Sequence, residues 1–172
     1  MAVQDMEGLL KHELGDLLYA ERVFLKGLKQ MSRETKNPRL RDRIVQHAEE
    51  TQEHIVNLEQ AFETIGYKPR AQRCDAAVGL DEERKAFREE ADPPPEILEA
   101  FNIGSGLRVE HYEIAGYRSA LAIARQTGNE ECARLLQRNL DQEVAMATFL
   151  EQAAPSALAQ LSSEEAGSRP LR

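Results

Sequence analysis

Four long stretches of this chain carry an apolar stripe at helical spacing, and each stripe is interrupted near its midpoint by a carboxylate or an imidazole. A fold that buries such stripes must bring the carboxylates together. The first stripe reads Leu10, Leu14, Leu17, Glu21, Phe24, Leu28 and Met31. The second reads Leu40, Ile44, His47, Thr51, His54 or Ile55, Leu58, Phe62 and Ile65, with Glu50 on the same face between the two histidines. The third reads Ile103, Leu107, Glu110, Ile114, Tyr117, Leu121 and Ala124, with Glu113 three residues after Glu110. The fourth reads Cys132, Leu136, Leu140 or Asn139, Glu143, Met146 or Ala147, Leu150 and Ala153.

Breakers divide the stripes cleanly. Ser32 to Pro38 interrupts the pattern, and Asn37-Pro38 suits the entry to a second helix, because proline fits a first-turn position. Gly66 stops that helix and Gly128 stops the third. Between them, residues 67–95 hold the Lys68-Pro69 turn, a short helical candidate from about Leu80 to Glu90, and Pro93-Pro94-Pro95, which cannot continue a helix. The fourth helix is expected to end before Pro155. Strand alternation and hairpin turns are absent from the pattern, so the class is all-α. Two helical hairpins joined by one long crossover give a ferritin-like four-helix bundle. The bundle domain is assigned to residues 1–161, and the polar tail, 162–172, is expected to fray.

Composition narrows the partners. The net charge of -8 disfavours nucleic acid, and no basic stretch interleaved with aromatics reverses this locally. No apolar run reaches a membrane span, and Met1 to Asp5 lack the pattern of a signal peptide, so a cytoplasmic location is expected. Cys74 and Cys132 are widely separated and read as free thiols, which leaves no internal relay of paired cysteines.

Moving an ionised carboxylate into an apolar interior costs several kcal/mol, comparable to the whole net stability of a domain. A single inward Glu can escape by taking a proton, whereas several at one level need a compensating charge. The midpoints of antiparallel helices share a common depth, so Glu21, Glu50, Glu110, Glu113 and Glu143 converge, with His54 or Glu53 as a contested sixth member. Two divalent cations would neutralise four carboxylates. Carboxylate with imidazole suits iron first and manganese second.

Each of these residues also has an ordinary structural reading. A lone Glu among polar neighbours is usually a solvated face, and it is the joint placement on four stripes that favours a site. His47 reads as a core histidine bonded to a backbone carbonyl or to Glu50, supporting the centre from outside it. Tyr19 and Tyr117 are candidates to line the core nearby as hydrogen-bond donors. His111 points away, and Glu49 and Glu53 can pair with surface cations.

The runs Asp16-Leu17-Leu18-Tyr19-Ala20-Glu21, His47-Ala48-Glu49-Glu50-Thr51-Gln52-Glu53-His54-Ile55 and Val109-Glu110-His111-Tyr112-Glu113-Ile114-Ala115 resemble the YciE/YciF family of ferritin-like stress proteins. The likeness extends over most of the chain to about Pro155, and Glu-His-Tyr-Glu-Ile-Ala is its most specific part. It implies a ferritin-like bundle, a homodimer and a di-metal site, with kinship to rubrerythrins, in which two glutamates also lie three residues apart. By that analogy Glu21 is a terminal ligand, Glu50 and Glu143 bridge, and Glu110 and Glu113 are alternative or simultaneous ligands. The sequence departs from the Glu-x-x-His rule, since Glu53 follows Glu50 at that spacing, and Met146 follows Glu143. The resulting expectation is a redox protein acting on peroxide or dioxygen with an external electron donor. The alternative is a metal-binding or structural stress protein with little turnover.

Overall fold

The computed structural model describes residues 3–168. Among them are five helices and no strand: α1 (Met6–Glu34), α2 (Pro38–Thr64), α3 (Asp75–Ala91), α4 (Pro95–Gln126) and α5 (Glu130–Ser168). Their starts follow capping chemistry. Asp5 accepts from the Gly8 amide at 2.7 Å, Asn37 accepts from Leu40 at 3.1 Å with Pro38 in the first turn, and Asn129 accepts from Cys132 at 3.0 Å. Gly66 and Gly128, the two expected stops, have φ of 76° and 72°, a left-handed conformation that other residues adopt at a steric cost.

α1, α2, α4 and α5 form a four-helix bundle of the ferritin-like type, in which α1 and α5 each pack against both α2 and α4. Every adjacent pair runs antiparallel. Arg22 meets Glu59 and Gln142 meets His54. Across the other two seams, Gly116 lies against Leu17 with Tyr112 against Phe24, and Arg125 meets Gln137 with His111 near Glu151. The crossover helix α3 lies over α1 and α4. It is tied down by Arg84 and Arg88 to Glu34, and by a stack of Phe87 on Phe101 at 3.7 Å.

α5 does not stop before Pro155, as the sequence reading expects, but continues through it to Ser168. Proline removes one hydrogen bond of the helical ladder. Pro155 is exposed, so water can serve the carbonyl left over, while Ala153, Ala154 and Ala157 keep the helix packed on the core. Residues 169–172 of the expected tail lie outside the described residues. Cys74, read as a loop residue, is buried and caps α3, accepting from the Ala77 amide at 3.3 Å.

The apolar core is split. One cluster contains Leu14, Leu18, Ile55, Leu58, Ile114 and Leu140; a second contains Leu28, Ile44, Ile103 and Met146. On every bundle helix, a polar residue or pair sits between members of the two clusters.

Candidate metal centre

The dividing layer consists of Glu21 from α1, His47 and His54 from α2, Glu110 and Glu113 from α4, and Glu143 from α5. All are at most 2 % exposed. His47 and His54 are seven residues apart, two helical turns, so both rings enter the bundle from one face of α2.

Glu143 lies at the centre. Its Oε1 is 2.8 Å from His54 Nδ1 and its Oε2 is 3.4 Å from His47 Nε2. Glu21 Oε1 also approaches His54 Nδ1, at 3.2 Å, and Glu110 Oε2 approaches His47 Nε2, at 3.3 Å. Two groups of three donors result, Glu21 with His54 and Glu143, and His47 with Glu110 and Glu143, each compact enough to surround one ion. They share Glu143.

The outward nitrogen of each ring is held by an acceptor. His47 Nδ1 donates to Glu50 Oε2 at 3.0 Å and His54 Nε2 donates to Gln142 Oε1 at 2.7 Å, because neither a carboxylate nor an amide oxygen can donate in return. This is the arrangement that orients metal-ligating histidines, with the remaining nitrogen presented to the ion.

Hydrogen bonding in the layer is incomplete. Nine buried side-chain atoms among the described residues make no hydrogen bond of regular geometry, and six of them are here: Glu21 Oε2 and Glu113 Oε1, and His54 Nδ1, Glu110 Oε2 and both oxygens of Glu143, whose neighbours are the ring and carboxylate atoms just described. Buried polar atoms are rarely left unsatisfied, so their concentration at one level fits a missing positive partner. The donor set, four carboxylates and two imidazoles, suits iron, manganese or zinc.

The electrostatics agree. Burial, opposed in part by His47 and reinforced by Glu143, pushes the Glu110 carboxyl up to about 8. Burial and the neighbouring Glu21, Glu143 and Glu110 raise Glu113 well above the carboxylate range. Burial also works against the charge on each imidazole, but Glu110 and Glu143 raise His47 well above its ordinary value, and Glu21 and Glu143 raise His54 to about 10. Glu143 moves the other way: burial favours its neutral form, yet His47 and His54 hold it below the carboxylate range. Without metal, the layer therefore favours the protonated forms of both rings, Glu110 and Glu113 and the ionised form of Glu143.

The structure places the remaining sequence candidates outside the layer. Glu50 sits on its shoulder, accepting from Arg43 at 2.9 Å and Gln46 at 2.8 Å as well as from His47. Although burial opposes it, His47 and Arg43 keep the Glu50 pKa low. Glu53 is exposed and paired with Arg138 at 2.8 Å; one residue is about 100° of helical rotation, which turns Glu53 out as His54 turns in. Tyr19 packs beside Cys74 and Ala77 on the α3 side. Tyr117 is fully buried and donates to Glu21 Oε1.

Sequence reasoning passed over three supporting residues. Asn139 donates to the Tyr117 hydroxyl at 3.0 Å, Asn57 donates to Asn139 Oδ1 at 2.7 Å, and Gln142 holds His54. Asn139 and Asn57 had a signal in their positions, one turn from Glu143 and His54 on the buried face. Gln142 had none, because it lies beside that face.

The family described as "Domain of unknown function (DUF892)" matches residues 5–162. Protein YciF of Escherichia coli (strain K12) is 32% identical over 146 residues, 84% of this chain and 87% of YciF. The crystal structure of that E. coli stress protein superposes with a TM-score of 0.84 at 30% identity, covering 91% of this chain and 98% of the other. YcfI from Rhodopseudomonas palustris, described as a proposed structural protein, is similar at a TM-score of 0.83 and 37% identity, covering 87% of this chain and 94% of its own.

Proposed function

The chain belongs to the DUF892 family and is similar to YciF in sequence and fold, and from that premise we propose that it is a di-metal protein of the stress response. Iron is the first candidate metal and manganese the second. The carrying observation is the pair of buried three-donor groups that share Glu143. One ion is assigned to Glu21, His54 and Glu143, the other to His47, Glu110 and Glu143. Glu113 contributes a free oxygen to either.

When bound, such a pair supplies one-electron redox chemistry at each ion toward a small oxidant, peroxide or dioxygen. The protein's own residues prepare the site for it. Leu28, Ile44 and Met146 on one side and Leu18, Ile55 and Leu140 on the other exclude bulk water, which strengthens every charge interaction inside. Glu50 and Gln142 fix the outward ring protons, so the protons displaced by an arriving cation are those on His47 Nε2 and His54 Nδ1. Tyr117 keeps a hydroxyl proton against Glu21, and burial together with the charge of Glu21 keeps that phenol from ionising. Cys74 and Cys132 are separate buried thiols, so reducing equivalents are assigned to an outside donor. No helix among the described residues is long and apolar enough to cross a membrane.

The test is to load metal-free protein with iron or manganese, measure uptake, and follow peroxide consumption. Uptake of about two ions per chain with metal-dependent consumption that Glu143→Gln abolishes supports the reading. Uptake without turnover favours the second reading, a metal-bearing structural protein, which the description of the R. palustris relative suggests. Absence of uptake sinks both.

A further inference from the structure

A half-enclosed cavity of about 30 Å³ lies between α1, the crossover helix α3 and α4. That is room for about one or two molecules the size of water. Its lining includes the half-buried Gly27, Leu80 and Asp81 together with Glu110, which is 1 % exposed and belongs to the candidate metal layer. Elsewhere the wall is mainly apolar, with Phe24, Leu28 and Val109. Besides Glu110 the lining includes Arg84, an arginine buried to 3 % whose terminal nitrogens bond Gln30 and Glu34 and whose Nε has no partner.

Gly27 is the informative residue. A glycine inside a helix weakens it relative to alanine, so its presence asks for a reason. Backbone conformation supplies none, because Gly27 does not have a positive φ. Crowding supplies none either: a Cβ at this position would meet only Asp81 Oδ1, at 4.0 Å. What a side chain there would take away is space, and Glu110 lines the same space.

We propose that this cavity under α3 is the route by which a neutral molecule no larger than dioxygen or hydrogen peroxide reaches the metal layer, with Gly27 keeping the route open. The proposal rests on the layer being a metal centre and adds to that reading the path by which its small oxidant arrives. The mainly apolar wall favours neutral molecules, and the narrow space favours small ones. α3 is therefore the roof of an entry route as well as a connection.

The experiment uses the full chain loaded anaerobically with ferrous iron, with nitric oxide as a neutral diatomic probe followed by the absorbance of the nitrosyl complex in stopped flow. Gly27→Ala, whose Cβ fits, should match the parent. Gly27→Leu should retain iron content and helicity but bind nitric oxide about an order of magnitude more slowly, as expected when a narrow entry is obstructed. Leu80→Trp fills the same cavity from a half-buried position on α3 and is read by the same criterion if Gly27→Leu does not fold. Parent-like binding rates in a folded, iron-loaded plugged variant overturn the route while leaving the metal reading intact. A parent chain that takes up no iron overturns the metal reading and the route with it.

Discussion

Glu50 Oε2 accepts a hydrogen bond from Nδ1 of His47 at 3.0 Å, one helical turn away, and this bond aims the opposite nitrogen of the ring at Glu110 and Glu143. Arg43 and Gln46 in turn hold the Glu50 carboxylate. Glu50 thus acts on the layer through His47, without entering it.

Replacing Glu50 with Ala should therefore weaken one ion position selectively. Loss of an orienting partner of this kind lowers metal affinity by about 10- to 100-fold. Metal titration by calorimetry should show one site weakened and the site of Glu21 and His54 retained. Equal weakening of both would contradict the separation into two groups.

The metal-free protein should lose stability as pH rises. Glu110 has its folded pKa raised from 4.5 to about 8, so its contribution is complete below 4.5 and is lost as pH climbs through about 8. His54 is raised from 6.5 to about 10, so its contribution is complete below 6.5 and is lost through about 10. Both act in the same direction. Thermal melts of chelator-treated protein should fall across this window, by an order of ~10 °C if several kcal/mol are involved. Metal-loaded protein should show no such fall, because cations replace the protons and bind more tightly as pH rises.

Glu113 is buried without a partner for Oε1, and burial together with its like-charged neighbours Glu21, Glu143 and Glu110 raises its pKa. A Glu113→Leu variant removes that unsatisfied atom at similar volume. Metal-free, it should be more stable than the parent by about 1 to 3 kcal/mol in urea unfolding. It should gain less stability from added metal than the parent does, and a destabilised metal-free variant would count against an unsatisfied carboxyl at this position.

Tyr117 joins Glu21 to the buried amides of Asn139 and Asn57. Tyr117→Phe leaves a carboxylate oxygen and an amide without their shared partner in a dry environment. The expected cost is about 1 to 3 kcal/mol, measured by denaturant unfolding, with weaker metal binding at the Glu21 position. A neutral substitution would mean that the hydroxyl is dispensable there.

The bundle was legible because burial imposes periodicity. Leu14, Leu17, Glu21 and Leu28 can share one face only in a helix, and Gly66 and Gly128 mark where two helices turn. The long crossover announced the ferritin-like connection in the same way. The layer was legible at Glu21, Glu110, Glu113 and Glu143, where a single charged residue or pair breaks an apolar stripe. On α2 the pattern was ambiguous, since His47, Glu50, Glu53 and His54 span a wide arc and a stripe does not say how far its edge is turned. The ring of His47, read as a neighbour of the centre, points into it. Glu50 lies about 60° round the helix from His47, close enough to Arg43 for that guanidinium to claim it. Met146 stands where the Glu-x-x-His rule asks for a histidine after Glu143, yet α2 supplies a ring to each donor group. The path of α5 through Pro155 was hidden for a different reason: proline disfavours helix locally, and only the packing of Ala153, Ala154 and Ala157 overrides that preference.

The most direct test of the account is anomalous scattering from crystals of protein produced with iron and manganese supplied, recorded at both metal edges and combined with elemental analysis. The account predicts two anomalous peaks on either side of Glu143, one beside Glu21 and His54 and the other beside His47 and Glu110, with metal at about two ions per chain. Crystals with only trace metal and no anomalous density between these side chains would contradict it.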